Sequence, residues 1–217
     1  MPVGLWEFEK SLTALGFGLI AGTDEAGRGP LAGPVVSAAV ILPSGFDDQG
    51  VDDSKKLVPA RREQLYARIH SEAHAVGIGV VEAADIDRIN ILQAARRSMA
   101  LAVGQLSPQP DFVLVDGNCD IPLPLPQQAV VKGDSRSISI AAASIIAKVL
   151  RDRMMQDYHR AFPQFGFDRH KGYPTKAHKA AIAAHGPCPI HRRSFKGVSE
   201  HLDDLPPAAK EDTHDQA

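Results

Sequence analysis

The chain has 217 residues, 44% apolar and 23% charged, with a formal net charge of −2; this is the composition of an ordinary soluble globular protein, large enough to bury a core unaided as one domain. Cys119 and Cys188 are the only cysteines, too few for a disulfide framework. No apolar run is long enough to span a bilayer and residues 1–7 lack the features of a signal peptide, so a cytoplasmic protein with no membrane partner is expected.

Residues 5–16 read as a short helix packing Leu5, Phe8 and Leu12. Residues 18–23 read as a first strand and 33–42 as a second, and the short connection between them favours antiparallel neighbours. Pro59 suits the first turn of a helix carrying Leu65 and Ile69, and residues 76–81, rich in β-branched side chains, form a third strand. Ile89, Leu92, Ala95, Met99, Ala102 and Leu106 recur at spacings of three and four, an amphipathic helix ended by Ser107-Pro108-Gln109-Pro110. Residues 112–115 make a short apolar strand that delivers Asp116-Gly117-Asn118, and residues 129–131 another that leads into Lys132-Gly133-Asp134-Ser135. A long helix over 138–155 places Ile138, Ala141, Ala142, Ile145 and Val149 on one face. This order predicts an α/β or mixed-sheet domain with helices on its faces over 1–202. The acidic segment 203–217 is expected to be a disordered tail.

Charge is unevenly spread. Residues 203–217 hold five acids and one lysine, which leaves 23 basic against 21 acidic residues in the body. Residues 169–197 contain Arg169, Lys171, Lys176, Lys179, Arg192, Arg193 and Lys196 and no acid. A solvated helical face is the ordinary meaning of such a run; seven bases without a compensating acid point to a surface that meets phosphate. Trp6 reads as a core or subunit-contact residue.

Four acids stand at element ends: Asp24, Glu25, Asp116 and Asp134. The ends of neighbouring strands converge in space, so these acids can share one site. Gathered carboxylates repel unless cations neutralise them. Two divalent ions roughly 3.5–4 Å apart would do so while activating water and stabilising a leaving oxygen, and carboxylates favour hard cations such as Mg²⁺ or Mn²⁺. Plainer readings stand beside this one: Asp134 or Ser135 as a helix cap, Asp116-Gly117 as a turn, Asp24-Glu25 as solvated loop acids. Consecutive strand residues also face opposite ways, so two adjacent ligands require the chain to leave regular strand geometry there.

The run Asp24-Glu25-Ala26-Gly27-Arg28-Gly29-Pro30, followed by Ala32-Gly33-Pro34-Val35, closely resembles the signature of bacterial ribonuclease HII, the type 2 ribonucleases H. The likeness continues through Asp53-Ser54-Lys55-Lys56-Leu57, Val115-Asp116-Gly117-Asn118, Lys132-Gly133-Asp134-Ser135, residues 140–149 and His170-Lys171-Gly172-Tyr173-Pro174-Thr175, and spans about residues 19–200. The resemblance implies a ribonuclease H-like fold, a five-stranded mixed sheet flanked by helices with a C-terminal helical extension. It implies a monomeric endonuclease that hydrolyses the phosphodiester 5′ of a ribonucleotide in an RNA–DNA hybrid or at a single ribonucleotide in duplex DNA, leaving 3′-hydroxyl and 5′-phosphate ends. It further implies that Asp24, Glu25, Asp116 and Asp134 bind the metals, with Asp24 bridging. By the same resemblance, the backbone of Gly27, Arg28 and Gly29 senses the 2′-hydroxyl, Tyr173 packs on the sugar, and Lys55 or Lys56 meets the phosphate backbone. The sister family, ribonuclease HIII, tends to carry lysine where Arg28 stands. Another two-metal nuclease or phosphatase on a similar fold, and a hybrid-binding module without cleavage, are the competing expectations. His185, Cys188 and His191 have a spacing that suggests zinc, but three ligands in a basic loop favour an ordinary loop.

Overall fold

The computed structural model describes residues 4–202; the expected tail at 203–217 lies outside them. Helix α1 (Glu7–Ala14) precedes strands β1 (Ile20–Ala26) and β2 (Val35–Ile41), helix α2 (Pro59–Glu72) and strand β3 (Ala75–Val81). Helices α3 (Ala83–Ile89) and α4 (Ile91–Gly104), strands β4 (Phe112–Asp116) and β5 (Gln127–Val130), and the long helix α5 (Ile138–Ala161) follow. Two further helices, α6 (Phe167–His170) and α7 (Lys176–His185), lie in the C-terminal part. The sheet order is β3-β2-β1-β4-β5. β2 runs antiparallel to both β1 and β3, whereas β4 is parallel to β1 and β5 parallel to β4. This is the mixed-sheet domain with helices on its faces that the element order predicts, with the five strands that the resemblance implies.

One sheet face carries α4: Ala21, Ala39, Ile41, Val113 and Val115 pack with Met99, Ala102, Val103 and Leu106. The other face carries α5 and α2, where Ala38 and Val40 meet Leu65, Ile69, Ala141, Ala142 and Ile145. The sequence predicts one apolar face on α5. Instead every residue from Ile138 to Ala147 is buried, because the helix sits between the sheet, α1 and α2 and its alanines and serines are small enough to pack all round. Its N-terminus is capped by Ser137, which accepts from Ile140 N–H at 3.3 Å; neither Asp134 nor Ser135 does this. Trp6 packs partly buried against the α5 side of the sheet.

The helix expected from Ile89 onward is two helices, broken at Asn90. That residue adopts φ 66° and its side-chain Oδ1 accepts from Leu92 and Gln93 N–H, starting α4 afresh. Apolar spacing runs through the break, which is why periodicity alone misses it.

β1 approaches α5 very closely. A Cβ on Gly22 would stand 2.2 Å from the Ser139 carbonyl carbon and 2.3 Å from Ile140 N. Both are backbone atoms of a buried helix, so nothing can move aside. Gly22→Ala is expected to destabilise the fold by about 3 kcal/mol, measured by urea unfolding; wild-type stability would show that the strand and helix separate without penalty.

Candidate active site

β1 and β4 are parallel in register from Ile20↔Phe112 to Thr23↔Val115. Asp24 and Asp116 therefore stand side by side at the C-terminal ends of the two central parallel strands, the usual place for a site in such sheets. β4 stops at Asp116 while β1 continues to Ala26, still paired with β2 through Asp24↔Ala38, Glu25↔Ser37 and Ala26↔Val36. The strand thus stays regular through both acids, contrary to the sequence expectation. They share a site because β1 overhangs its shorter neighbour: Asp24 projects toward α5, Glu25 starts from the opposite face, and the open edge lets both line one cavity of about 320 Å³. Asp24 Oδ1 also turns along the strand to accept from Glu25 N–H at 2.6 Å.

That cavity is lined by Asp24, Glu25 and Asp116 together with Gly27, Arg28, Gly29, Ser54, Lys55, Ser144, Lys148 and Tyr173. Asp24 is 3% exposed, and burial, then the charges of Glu25 and Asp116, hold its carboxyl well above the usual carboxylate range. Burial outweighs the neighbouring Arg28 guanidinium and pushes Glu25 up to about 7. Asp116 is likewise raised, by burial and by Asp134, against the hydrogen bond it accepts from Gly133 N–H at 2.7 Å. Asp134, in the single 3-10 turn Gly133–Ser135, lies at the rim and pairs with Lys55 Nζ at 3.2 Å.

Among the described residues no three His, Cys, Asp or Glu side chains are drawn up as a ready metal cage. Each acid is engaged elsewhere: Asp24 with its neighbour's amide, Glu25 with Arg28 at 3.3 Å, Asp116 with Gly133, Asp134 with Lys55. The donor set nevertheless suits hard divalent cations. Three carboxylates line one cavity, and all are raised by burial and by acidic neighbours, so bound positive charge would relieve them. Lys56 pairs with Asp52 at 2.9 Å and does not line the cavity, so of the two lysines only Lys55 is at the site.

The Gly-Arg-Gly turn is shaped from beneath by two buried arginines. Arg192 donates to the carbonyls of Gly27 (2.5 Å), Arg28 (3.0 Å), Pro30 (2.8 Å) and Gly33 (3.0 Å). Arg151 donates to Pro34 (3.0 Å), Ala32 (3.1 Å) and Lys171 (3.1 Å). Gly27 has φ +104°, and a Cβ there would lie 2.1 Å from Arg151 Nε, so glycine is required. With the carbonyls turned inward, the N–H groups of Arg28 and Gly29 make no hydrogen bond among the described residues. Tyr173, 43% exposed, sets its ring 3.5 Å from where a Gly29 side chain would begin. Leu31 N–H to Gly172 C=O at 2.8 Å ties the two segments together.

Arg192 corrects the reading of residues 169–197 as seven phosphate-facing bases, since it is wholly buried. Sequence reasoning also gave no role to Ser54, Ser144, Lys148 or Arg151. The last three recur at four and three residues along α5, a polar stripe on a helix otherwise apolar at its start; that stripe was the available signal. Ser144 hydrogen-bonds Asp24 and also Ser54 at 2.9 Å, while Lys148 donates to Asp152 at 2.7 Å.

A five-stranded mixed sheet with carboxylates converging at its central parallel strand ends has the site of a hydrolase that works with bound cations. Known proteins agree with that class. The family model described as Ribonuclease HII matches residues 21–198. Ribonuclease HII of Geobacter metallireducens is 61% identical over 198 residues, covering 91% of this chain and 93% of that protein. Among solved structures, ribonuclease H2 from Pyrococcus horikoshii OT3 superposes with TM-score 0.72 at 27% identity, covering 86% of this chain and 98% of that one. The ribonuclease HII of Archaeoglobus fulgidus, solved as a complex with PCNA, gives 0.69 at 30% identity, covering 86% and 100%. The chain belongs to the ribonuclease HII family and is a nuclease.

Proposed function

We propose that this enzyme cuts the phosphodiester on the 5′ side of a ribonucleotide, in RNA–DNA hybrids and at single ribonucleotides within duplex DNA, leaving 3′-hydroxyl and 5′-phosphate ends. It would act in the cytoplasm as a monomer, removing misincorporated ribonucleotides and RNA primers. The observation that carries this reading is that one cavity joins the acids Asp24, Glu25 and Asp116 to the Gly27-Arg28-Gly29 turn and Tyr173. Chemistry and sugar selection would thereby meet in one cavity.

Asp24, Glu25 and Asp116, with Asp134 at the rim, would hold two Mg²⁺ or Mn²⁺ ions. When bound, such ions acidify water and stabilise developing charge on the leaving oxygen, so no general-base side chain is needed. The protein's own part is positional. The free N–H groups of Arg28 and Gly29 can donate to a 2′-hydroxyl, the feature that tells RNA from DNA. The Tyr173 ring stands where it would pack on that sugar and reject a displaced one. Lys55 offers a cation to the phosphate backbone at the rim, with Arg169, Lys176, Lys179, Arg193 and Lys196 as the outlying basic surface.

The test is a DNA duplex carrying one ribonucleotide beside an all-DNA control, each with and without Mg²⁺ or Mn²⁺. Metal-dependent cutting at the ribonucleotide alone is expected. Equal cutting of both duplexes would point to a nuclease without 2′-hydroxyl selection, and binding without cutting to a hybrid-binding module.

A further inference from the structure

Two of the residues considered for zinc, Cys188 and His191, are instead hydrogen-bonded to each other, and His191 faces His178 of α7. The backbone N–H of Cys188 lies 2.9 Å from His191 Nδ1. An amide N–H can only donate, so Nδ1 accepts and the ring proton sits on Nε2; a thiol contact at 3.1 Å and a longer approach to Cys188 C=O at 3.3 Å share that nitrogen. His191 Nε2 faces His178 Nε2 at 3.1 Å. With the proton on His191, His178 accepts there and carries its own on Nδ1, which lies 3.0 Å from the Tyr173 carbonyl oxygen. Every donor in this chain meets one acceptor. Both rings are buried, at 0% and 2% exposure, and burial brings each down to about 4, so both are neutral at pH 7 as the pattern requires.

The same short segment also builds the opposite wall of the sugar site. Gly33 N–H donates to Ile190 C=O and Arg192 N–H to Leu31 C=O, both at 2.8 Å, making an antiparallel bridge between Ala32 and His191. The next side chain, Arg192, clamps the Gly27–Gly33 carbonyls. Residues 190–192 thus touch the glycine turn directly and Tyr173 through two histidines.

Resting on the reading of Tyr173 as the sugar contact, we propose that His191 and His178 are positioning residues for Tyr173, a directed hydrogen-bond chain that fixes the gap between its ring and the turn at Arg28 and Gly29. Neither histidine lines the cavity, so their influence passes through Tyr173.

A double-mutant cycle tests this on the single-ribonucleotide duplex. His191→Phe keeps an aromatic ring against Phe165 and Phe167 but cannot donate to His178. It is expected to lower kcat about tenfold, with KM within about twofold, since small misplacements near the chemistry act on turnover. His191→Gln, which retains a donor, is expected to recover most of that loss. In a Tyr173→Ala background, His191→Phe should change kcat by less than about twofold. Equal losses in both backgrounds, or none in the wild type, would overturn the proposal. Long-range ¹⁵N NMR of the wild-type imidazoles gives an answer even if the phenylalanine variant fails to fold: the proton must be on Nε2 of His191 and Nδ1 of His178, and any other tautomer breaks the chain. If Tyr173→Ala itself cuts normally, the sugar-contact reading falls and this inference with it; if only His191→Phe cuts normally, the inference falls alone.

Discussion

Asp24→Asn is expected to lower cleavage of the single-ribonucleotide duplex by about 10³-fold or more while leaving duplex affinity nearly unchanged. It is also expected to raise the melting temperature of the protein in chelator. Both effects come from one cause. Asp24 is 3% exposed and lies beside Glu25 and Asp116, so its ionised form is unfavourable until cations arrive. Its pKa is higher folded than unfolded. Such an acid contributes nothing differential at pH values below its unfolded pKa, becomes increasingly destabilising as pH rises from there, and reaches its full penalty above the folded value. Asparagine removes that penalty, on the order of 1–2 kcal/mol at neutral pH, or about 2–8 °C for a domain of this size. The gain should shrink as pH falls toward the ordinary carboxylate range, where wild-type Asp24 is itself protonated. Thermal unfolding at pH 5 and pH 7.5 in chelator, beside cleavage assays with Mg²⁺, reads both. Near-normal cutting would mean the metals are held elsewhere, and an unchanged melting temperature that the acids are not under mutual strain.

Arg192→Met is expected to destabilise the fold by about 3–5 kcal/mol and to remove most cleavage in whatever remains folded. The side chain is wholly buried and forms no salt bridge among the described residues, although the Asp87 charge acts on it; its hydrogen-bond partners are four carbonyls spread over Gly27 to Gly33. Burial lowers the guanidinium to about 9, which leaves it charged at neutral pH. Methionine fills similar volume but orphans all four oxygens, and lysine cannot restore them because one ammonium lacks the planar fork that reaches several acceptors at once. Arg192→Lys should therefore resemble Arg192→Met in urea unfolding. A lysine variant with wild-type stability would show that charge, not fork geometry, is what the turn requires.

The four acids and the glycine turn were legible because chemistry placed them: carboxylates at strand ends carry their meaning in local sequence. Asp24, Glu25 and Asp116 do meet, and Asp134 stands just outside their cavity behind Lys55. What hid was everything set by pairing between distant segments. Nothing in a window around residue 24 reveals that β4 ends early at Asp116, so adjacent acids looked geometrically incompatible when the overhang makes them compatible. Arg192 looked like one more surface base, since its partners lie more than 150 residues away. Lys55 and Lys56 were equivalent in sequence until folding gave one to Asp134 and the other to Asp52. The break at Asn90 was missed because the apolar period is continuous across it.

Within the turn held by Arg192 and Arg151, Gly27 and Gly33 must be glycine, but at position 28 Arg192 takes only a main-chain oxygen, an atom that every amino acid carries. Arg28 contributes its carbonyl to that grip while half its side chain remains in solvent. At position 28 the shape of the turn and the chemical character of its tip are therefore separable: the side chain there can change without redrawing the loop.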